Sequence, residues 1–456
     1  MFGFYSRLSA FGGERTRSLN SGKPLANRNQ VDCMDAGLSG AAGAREIINM
    51  MNRRPLVTKL ILGHNELSDE GCVVLFTFLR AAVGRKYRIT EISLNSNEIG
   101  DRGLMAISMY MTDNTCLKEL FLQNNRFSCN PNTILSFTRA LNTSRLRLLS
   151  LTTNQSLSDT FAHVFFPELD SATLGELHLS AVGITRHSVP CISDFLRSPR
   201  CRLHTFKCNG NSLGFRGVRN VIGAIEASNF TLLRVELHAN QIAVVPNDPG
   251  SDTEDEDGDE ERHIGLDAWK SGETLLKGIL ARNAHLKKEV EKEALELLVY
   301  SRTLLLRPQN TPNLETGQSG LTSAAGFQYT ELPIELQLHI LSFLVPTLST
   351  AQRVRIFTYA SSSSTLPSLL PSLKQETPRA VCIPDPSTVN PSLGAMTSKT
   401  TVWSIENRNA PYGCSSGHCI GSSSLYCRRE QERARWLEAV DCTAFDPGLV
   451  KGSEDI

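Results

Sequence analysis

One phrase recurs along this chain at an almost constant spacing. Its clearest form is Leu117, Leu120, Leu122 and Asn125: an apolar residue, two more at +3 and +5, and asparagine at +8. The frame starts again at Val57, Ile89, Leu146, Leu174, Leu203 and Leu232, so successive copies lie 32, 28, 29, 28, 29 and 29 residues apart. So steady a period means one structural unit stacked on itself, a solenoid. Positions +3 and +5 are two apart, so they share one face of a short strand and point inward, while their neighbours point out. After the asparagine come a turn, often with glycine (Gly71, Gly103, Gly217), and apolar residues at helical spacing such as Val74, Leu75, Phe78 and Leu79. Each unit reads as strand, turn, helix and return, and only stacking buries both of its apolar faces. The asparagine is expected to be buried at the bend and bonded to backbone groups of the turn. In one copy Val182 stands in its place and offers no such bond.

A weaker copy precedes these seven, because Val31 and Cys33 sit 29 residues before Leu60 and Leu62, with a helix expected over 41–52. With its 28–29-residue period the frame resembles the ribonuclease-inhibitor class of leucine-rich repeats, over roughly residues 29–300. The resemblance implies an α/β leucine-rich-repeat solenoid, parallel strands on a concave face and helices on a convex one. It does not imply a function, because the class hosts inhibitors, GTPase activators, immune sensors and ubiquitin-ligase receptors.

Composition bounds the rest. Lys and Arg together number 47, as do Asp and Glu. Zero net charge argues against a general nucleic-acid binder. The longest apolar runs are far below the roughly 18–20 residues that span a bilayer. No signal peptide is apparent and Cys33 and Cys208 fall on inward strand positions as small core residues, so the 12 cysteines argue for a reducing compartment rather than disulfides, and a soluble chain in the cytoplasm or nucleus is expected. Residues 1–27 read as a disordered tail, a transit peptide being the alternative. The solenoid is expected over 28–306, with an acidic loop inserted at 246–263, where Asp252 to Glu261 are carboxylates apart from Thr253 and Gly258. The bland reading of that loop is a solubilising one; the sharper reading is a regulatory loop phosphorylated at Ser251 or Thr253. Helices are expected over 265–284 and 285–306, the latter as a C-terminal cap, followed by a linker at 307–327.

A second signal lies in residues 328–360. The stretch LPIELQLHILSFL at 332–344 places Leu336, Ile340, Leu341 and Leu344 at helical spacing, with Pro333 and Glu335 suited to the first turn. It resembles the first helix of an F-box, which implies docking to a Skp-type adaptor of a cullin–RING ubiquitin ligase through Leu332, Pro333, Leu336, Ile340 and Leu344. The chain departs from that pattern downstream, where Val354, Ile356 and Tyr359 occur without the usual Asp-Leu and Trp, and in placing the segment after the repeats. The alternative is an amphipathic helix packed on the end of the solenoid. A Ser/Pro-rich linker is expected at 361–400 and a small Cys-containing tail with one helix at 401–456, in which Trp436, Leu437 and Val440 form a docking face. Cys414, His418, Cys419 and Cys427 lack a two-knuckle zinc spacing, so no metal and no cofactor are expected.

No phosphate loop, His-Glu-x-x-His or Gly-x-Ser-x-Gly is present, so no catalytic set is named and the chain is read as a non-enzyme. The outward positions of the strands predict the lining of the concave face: Asn95, Phe121, Gln123, Glu176, His178, Lys207, Arg234, Glu236 and His238. Mixed charge with one aromatic suits a protein ligand better than a phosphate backbone. The leading functional expectation is a substrate receptor, the solenoid holding a protein and the 332–344 helix holding the adaptor. The alternatives are a repeat scaffold or inhibitor without a ligase, and a GTPase activator of the Ran-activating type supplying Arg102.

Overall fold

The structure, a computed structural model, describes residues 29–241, 258–305, 332–362 and 425–448, with side chains from 269 onward in the long helix and at 430 and from 432 onward in the last one. The expectations for 1–27, for most of the acidic loop, for both linkers and for Cys414, His418, Cys419 and the Cys427 side chain lie outside these residues. The chain divides into two compact units, up to Leu174 and from Gly175 onward.

The first unit alternates parallel strands β1 (Gln30–Asp32), β2 (Lys59–Ile61), β3 (Glu91–Ser93), β4 (Glu119–Phe121) and β5 (Leu148–Ser150) with helices. These helices are α1 (Gly40–Asn52), α2 (Ser68–Arg80), α3 (Ala82–Arg85), α4 (Asp101–Met111), α5 (Pro131–Thr143) and α6 (Ser158–Glu168). Strand register sets Val31, Leu60, Ile92, Leu120 and Leu149 side by side as one buried spine. The weak leading copy is therefore a genuine repeat. The 32-residue step comes from α3, an extra turn between α2 and β3. Gly84 permits it, because a Cβ there would lie 2.1 Å from the Phe78 carbonyl oxygen. Gly84→Ala is expected to destabilise the first unit by about 1–3 kcal/mol in urea unfolding; an unchanged midpoint contradicts the tight approach.

The second unit continues with β6 (Glu176–His178), α7 (Val189–Arg197), β7 (Thr205–Lys207), α8 (Gly214–Ser228) and β8 (Arg234–Glu236). Leu177, Phe206 and Val235 are in register. Next comes α9, one helix from Gly258 to Leu305, where two were expected. No proline falls between Pro249 and Pro308, so nothing breaks it, and its first turns occupy positions read as loop.

The asparagines do more than close their own turns. Asn65 Nδ2 donates to the carbonyls of Leu62 and Gly63 in its own bend, at 2.9 and 3.2 Å, and to Cys33 of the preceding repeat at 2.8 Å. Its Oδ1 accepts from the amides of Ala36 and Leu38, also in the preceding repeat. Asn97, Asn125 and Asn154 bridge in the same way within the first unit, as does Asn211 within the second. Beside each bend of the first unit a residue adopts positive φ: Asp35, His64, Ser96, Asn124 and Thr153 fall between 51° and 60°. None is glycine, so the asparagine bridges hold a backbone that these residues disfavour.

One expectation, about three glycines, is corrected. Gly71, Gly103 and Gly217 are not turn residues; each lies buried in the first turn of a helix. A Cβ on Gly71 would come within 2.8 Å of the Gly40 carbonyl, and one on Gly103 within 2.7 Å of an Asp69 oxygen. That Asp69 oxygen also accepts from the amides of Gly100 and Gly103, capping α4 from the repeat before it. Their role is thus close packing between neighbouring repeats.

The C-terminal helices α10 (Ile334–Phe343), α11 (Thr350–Ser361) and α12 (Leu425–Ala439) share one core with α9. Leu295, Leu298, Leu341, Val345, Ile356, Trp436 and Leu437 fill it. The expected docking face of Trp436, Leu437 and Val440 is thereby placed. Polar locks accompany the packing: Glu293 accepts from the Thr347 amide and hydroxyl at 2.8 and 2.6 Å, and Gln352 Nε2 donates to the Asp441 and Ala444 carbonyls.

Eight described cysteines are free thiols, five of them with raised pKa values. Burial pushes Cys208 and Cys442 up to about 12 and Cys201 to about 11. Native-state alkylation at pH 8 is expected to spare these three, while half-buried Cys116 and Cys191 react; early labelling of Cys208 contradicts the packing.

Candidate functional site

The candidate residues fall into three groups. In the first unit, Asn95, Phe121 and Gln123 follow from strands β3 and β4 and stand half-buried on the face opposite the leucine spine. Register sets Phe121 between Ser93 and Ser150, with Ile61 next in the row. Asn95 is partly committed to structure, because its Oδ1 accepts from the Gln123 amide at 3.1 Å. The Gln123 Oε1 is buried with no hydrogen-bond partner among the described residues. An unsatisfied buried acceptor beside an aromatic ring on a strand face is a ready contact for a donor on a ligand.

In the second unit, Glu176, His178, Lys207, Arg234 and Glu236 occupy neighbouring register positions on three strands. Their charges are mostly spent on one another. Arg234 reaches Glu236 at 2.6 Å and Lys207 reaches it at 3.6 Å. Desolvation raises the pKa of Glu236, but the Asn209 hydrogen bond and the two cations outweigh it and leave the carboxyl below its ordinary value. Glu176 is also lowered, chiefly by His178, whose Nε2 lies 3.5 Å away. That distance is longer than an ordinary hydrogen bond. His238 is exposed and meets the edge of Trp269 from α9, ring centroids 6.0 Å apart.

Sequence reasoning passed over Asn209. Its Nδ2 donates to Glu236 at 3.0 Å and its Oδ1 accepts from the His238 amide at 2.9 Å. It lies two residues beyond Lys207 on the same face, so the period-2 pattern could have found it. Trp269 had no such signal, because its place depends on the path of α9.

The third group is on α10. Its buried side carries Gln337 and Leu341, continued by Val345 and Leu348. The other side leaves Leu336 49%, Ile340 39%, Phe343 70% and Leu344 55% exposed. Leu341, read as part of the same stripe, therefore belongs to the packing side. Phe343 joins the exposed side at i, i+4, i+7, i+8 spacing with Leu336, Ile340 and Leu344. Pro333 caps the helix rather than opening it, and Leu332 is half-buried with its carbonyl accepting from Gln337 Nε2 at 2.7 Å.

Arg102 is exposed in the first turn of α4. No group of three or more His, Cys, Asp or Glu suited to a metal occurs among the described residues. None of the described helices is long and apolar enough to cross a membrane.

A family model described as Leucine Rich repeat matches residues 55–76 and 89–108, the second and third repeats of the first unit. Curated proteins yield no match to the chain. The matched repeats, together with the alternating parallel strands and helices, make this a leucine-rich-repeat solenoid with a helical C-terminal part.

Proposed function

We propose that this leucine-rich-repeat chain, of the ribonuclease-inhibitor-like period, is the substrate-recognition subunit of a cullin–RING ubiquitin ligase. The strand faces bind a protein, and α10 binds a Skp-type adaptor. The observation that carries the reading is the division of α10. One side is locked to α9, while Leu336, Ile340, Phe343 and Leu344 remain exposed as a continuous apolar stripe. Large contiguous apolar surface on a helix anchored by its other side suits a partner groove. Leu336, Ile340 and Leu344 are also positions that the F-box resemblance assigns to the adaptor.

Isothermal titration of the full chain with a purified Skp-type adaptor tests the reading. A saturable 1:1 complex is expected. An absence of heat and of co-elution at tens of micromolar ends it.

A second reading, a binding scaffold with no ligase link, is favoured by the packing of Leu341, Val345 and Ile356 into the α9 core. It predicts that the exposed α10 stripe has no adaptor partner, so the same titration separates the two.

A further inference from the structure

The loops that enter the strands of the first unit carry a charge pattern that neither strand face shares. Residues 53–56, 81–88, 112–118 and 144–147 hold eight Lys or Arg and a single carboxylate, Asp113. Stacking brings these loops together. Backbone bonds run from Thr90 to Thr58, Lys118 to Thr90 and Arg147 to Lys118 at 2.7, 2.8 and 2.7 Å, and the Arg145 amide donates to Asn114. The Tyr87 hydroxyl donates to Asn52 Oδ1 at 3.1 Å, tying the 81–88 loop to the end of α1, where Arg53 begins. Four loops one strand apart make a row about 15 Å long.

Arg53, Arg85, Lys86, Arg88 and Arg145 are exposed, and none has an ion-pair partner among the described residues. Lys118 and Arg147 are already engaged. The 81–88 loop is built rather than incidental. It exists because of the extra turn α3 that Gly84 allows, and it ends on Arg88 held at φ 47°.

We propose that this basic rim is a docking surface for an extended acidic peptide segment of a protein partner. A row of about 15 Å matches roughly five residues of extended chain. Arginine predominates, and its planar fork matches a carboxylate in two-point contact. A nucleic acid fits less well: Tyr87 is the one aromatic in these loops, and it is half-buried beside the Phe78 ring, so these loops hold no row of exposed rings for successive bases. The proposal deepens the protein-binding reading by naming the chemistry of the ligand.

The chain supplies a suitable probe, since residues 252–261 contain eight carboxylates. A fluorescent peptide of residues 250–262 is titrated by anisotropy into the full chain with those eight carboxylates changed to Asn or Gln, which removes self-competition. Binding is expected at about 50 mM salt, falling severalfold by about 300 mM. Arg85→Glu with Lys86→Glu and Arg88→Glu is expected to weaken it about tenfold or more, and so is Arg53→Glu with Arg145→Glu, while arginine-to-lysine changes weaken it less. Thermal melts of each variant, expected to match the parent chain, separate lost binding from lost fold. No binding, binding indifferent to both charge reversals, or tighter binding of an oligonucleotide of equal charge overturns the proposal. The adaptor is absent throughout, so failure here leaves the α10 reading standing.

Discussion

Asn65→Ala is expected to lower the stability of the first unit by about 3 kcal/mol or more in urea unfolding, a large share of what a domain usually has. The side chain is 5% exposed and connects two repeats through five backbone groups: three carbonyls and two amides. Alanine leaves the Cys33 carbonyl and the Ala36 and Leu38 amides without their side-chain partner, while the Leu62 and Gly63 carbonyls keep Asn97 Nδ2 and the Asp35 amide, and each unpaired group costs about 1–3 kcal/mol where water cannot reach it. Asn65→Asp is expected to be worse, because a carboxylate faces the carbonyls of Cys33, Leu62 and Gly63 without a hydrogen to donate. His64, at φ 57° beside it, would also lose its restraint. A loss below about 1 kcal/mol for both variants would mean that apolar packing alone sets the stacking.

Leu336→Asp with Ile340→Asp is expected to reduce adaptor affinity a hundredfold or more while shifting the thermal midpoint little. Both side chains are substantially exposed, so charge there costs the folded chain almost nothing. Within an apolar groove the same carboxylates would be desolvated without partners. Leu341→Ala supplies the contrast. At 5% exposure it lies in the α9 core, so it is expected to cost about 2–5 kcal/mol of stability and to reduce binding only through unfolding. If Leu341→Ala and the double variant behave alike, the two sides of α10 are not functionally distinct.

The spine was legible because alternation of Leu120 with Phe121, or Leu60 with Lys59 and Ile61, survives in strands of three residues. The asparagines were legible only in part. Their own bends follow from local spacing, but bridging to the preceding repeat depends on how the units stack, which no single repeat encodes. Gly71 and Gly103 misled for the same reason, since their constraint is a neighbour's backbone or side chain rather than a turn. For α10 the sequence is apolar on nearly every side, so helical period alone cannot decide whether Leu341 or Leu344 faces α9. The basic rim was invisible because its cations lie about thirty residues apart along the chain and meet only after stacking.

Hydrogen exchange of the full chain with and without saturating Skp-type adaptor tests the central claim most directly. The account predicts slowed exchange within residues 334–344 on adaptor binding, with the strand segments of both units unchanged and left for a protein ligand. Adaptor that leaves 334–344 unprotected, or protects the strands instead, contradicts it.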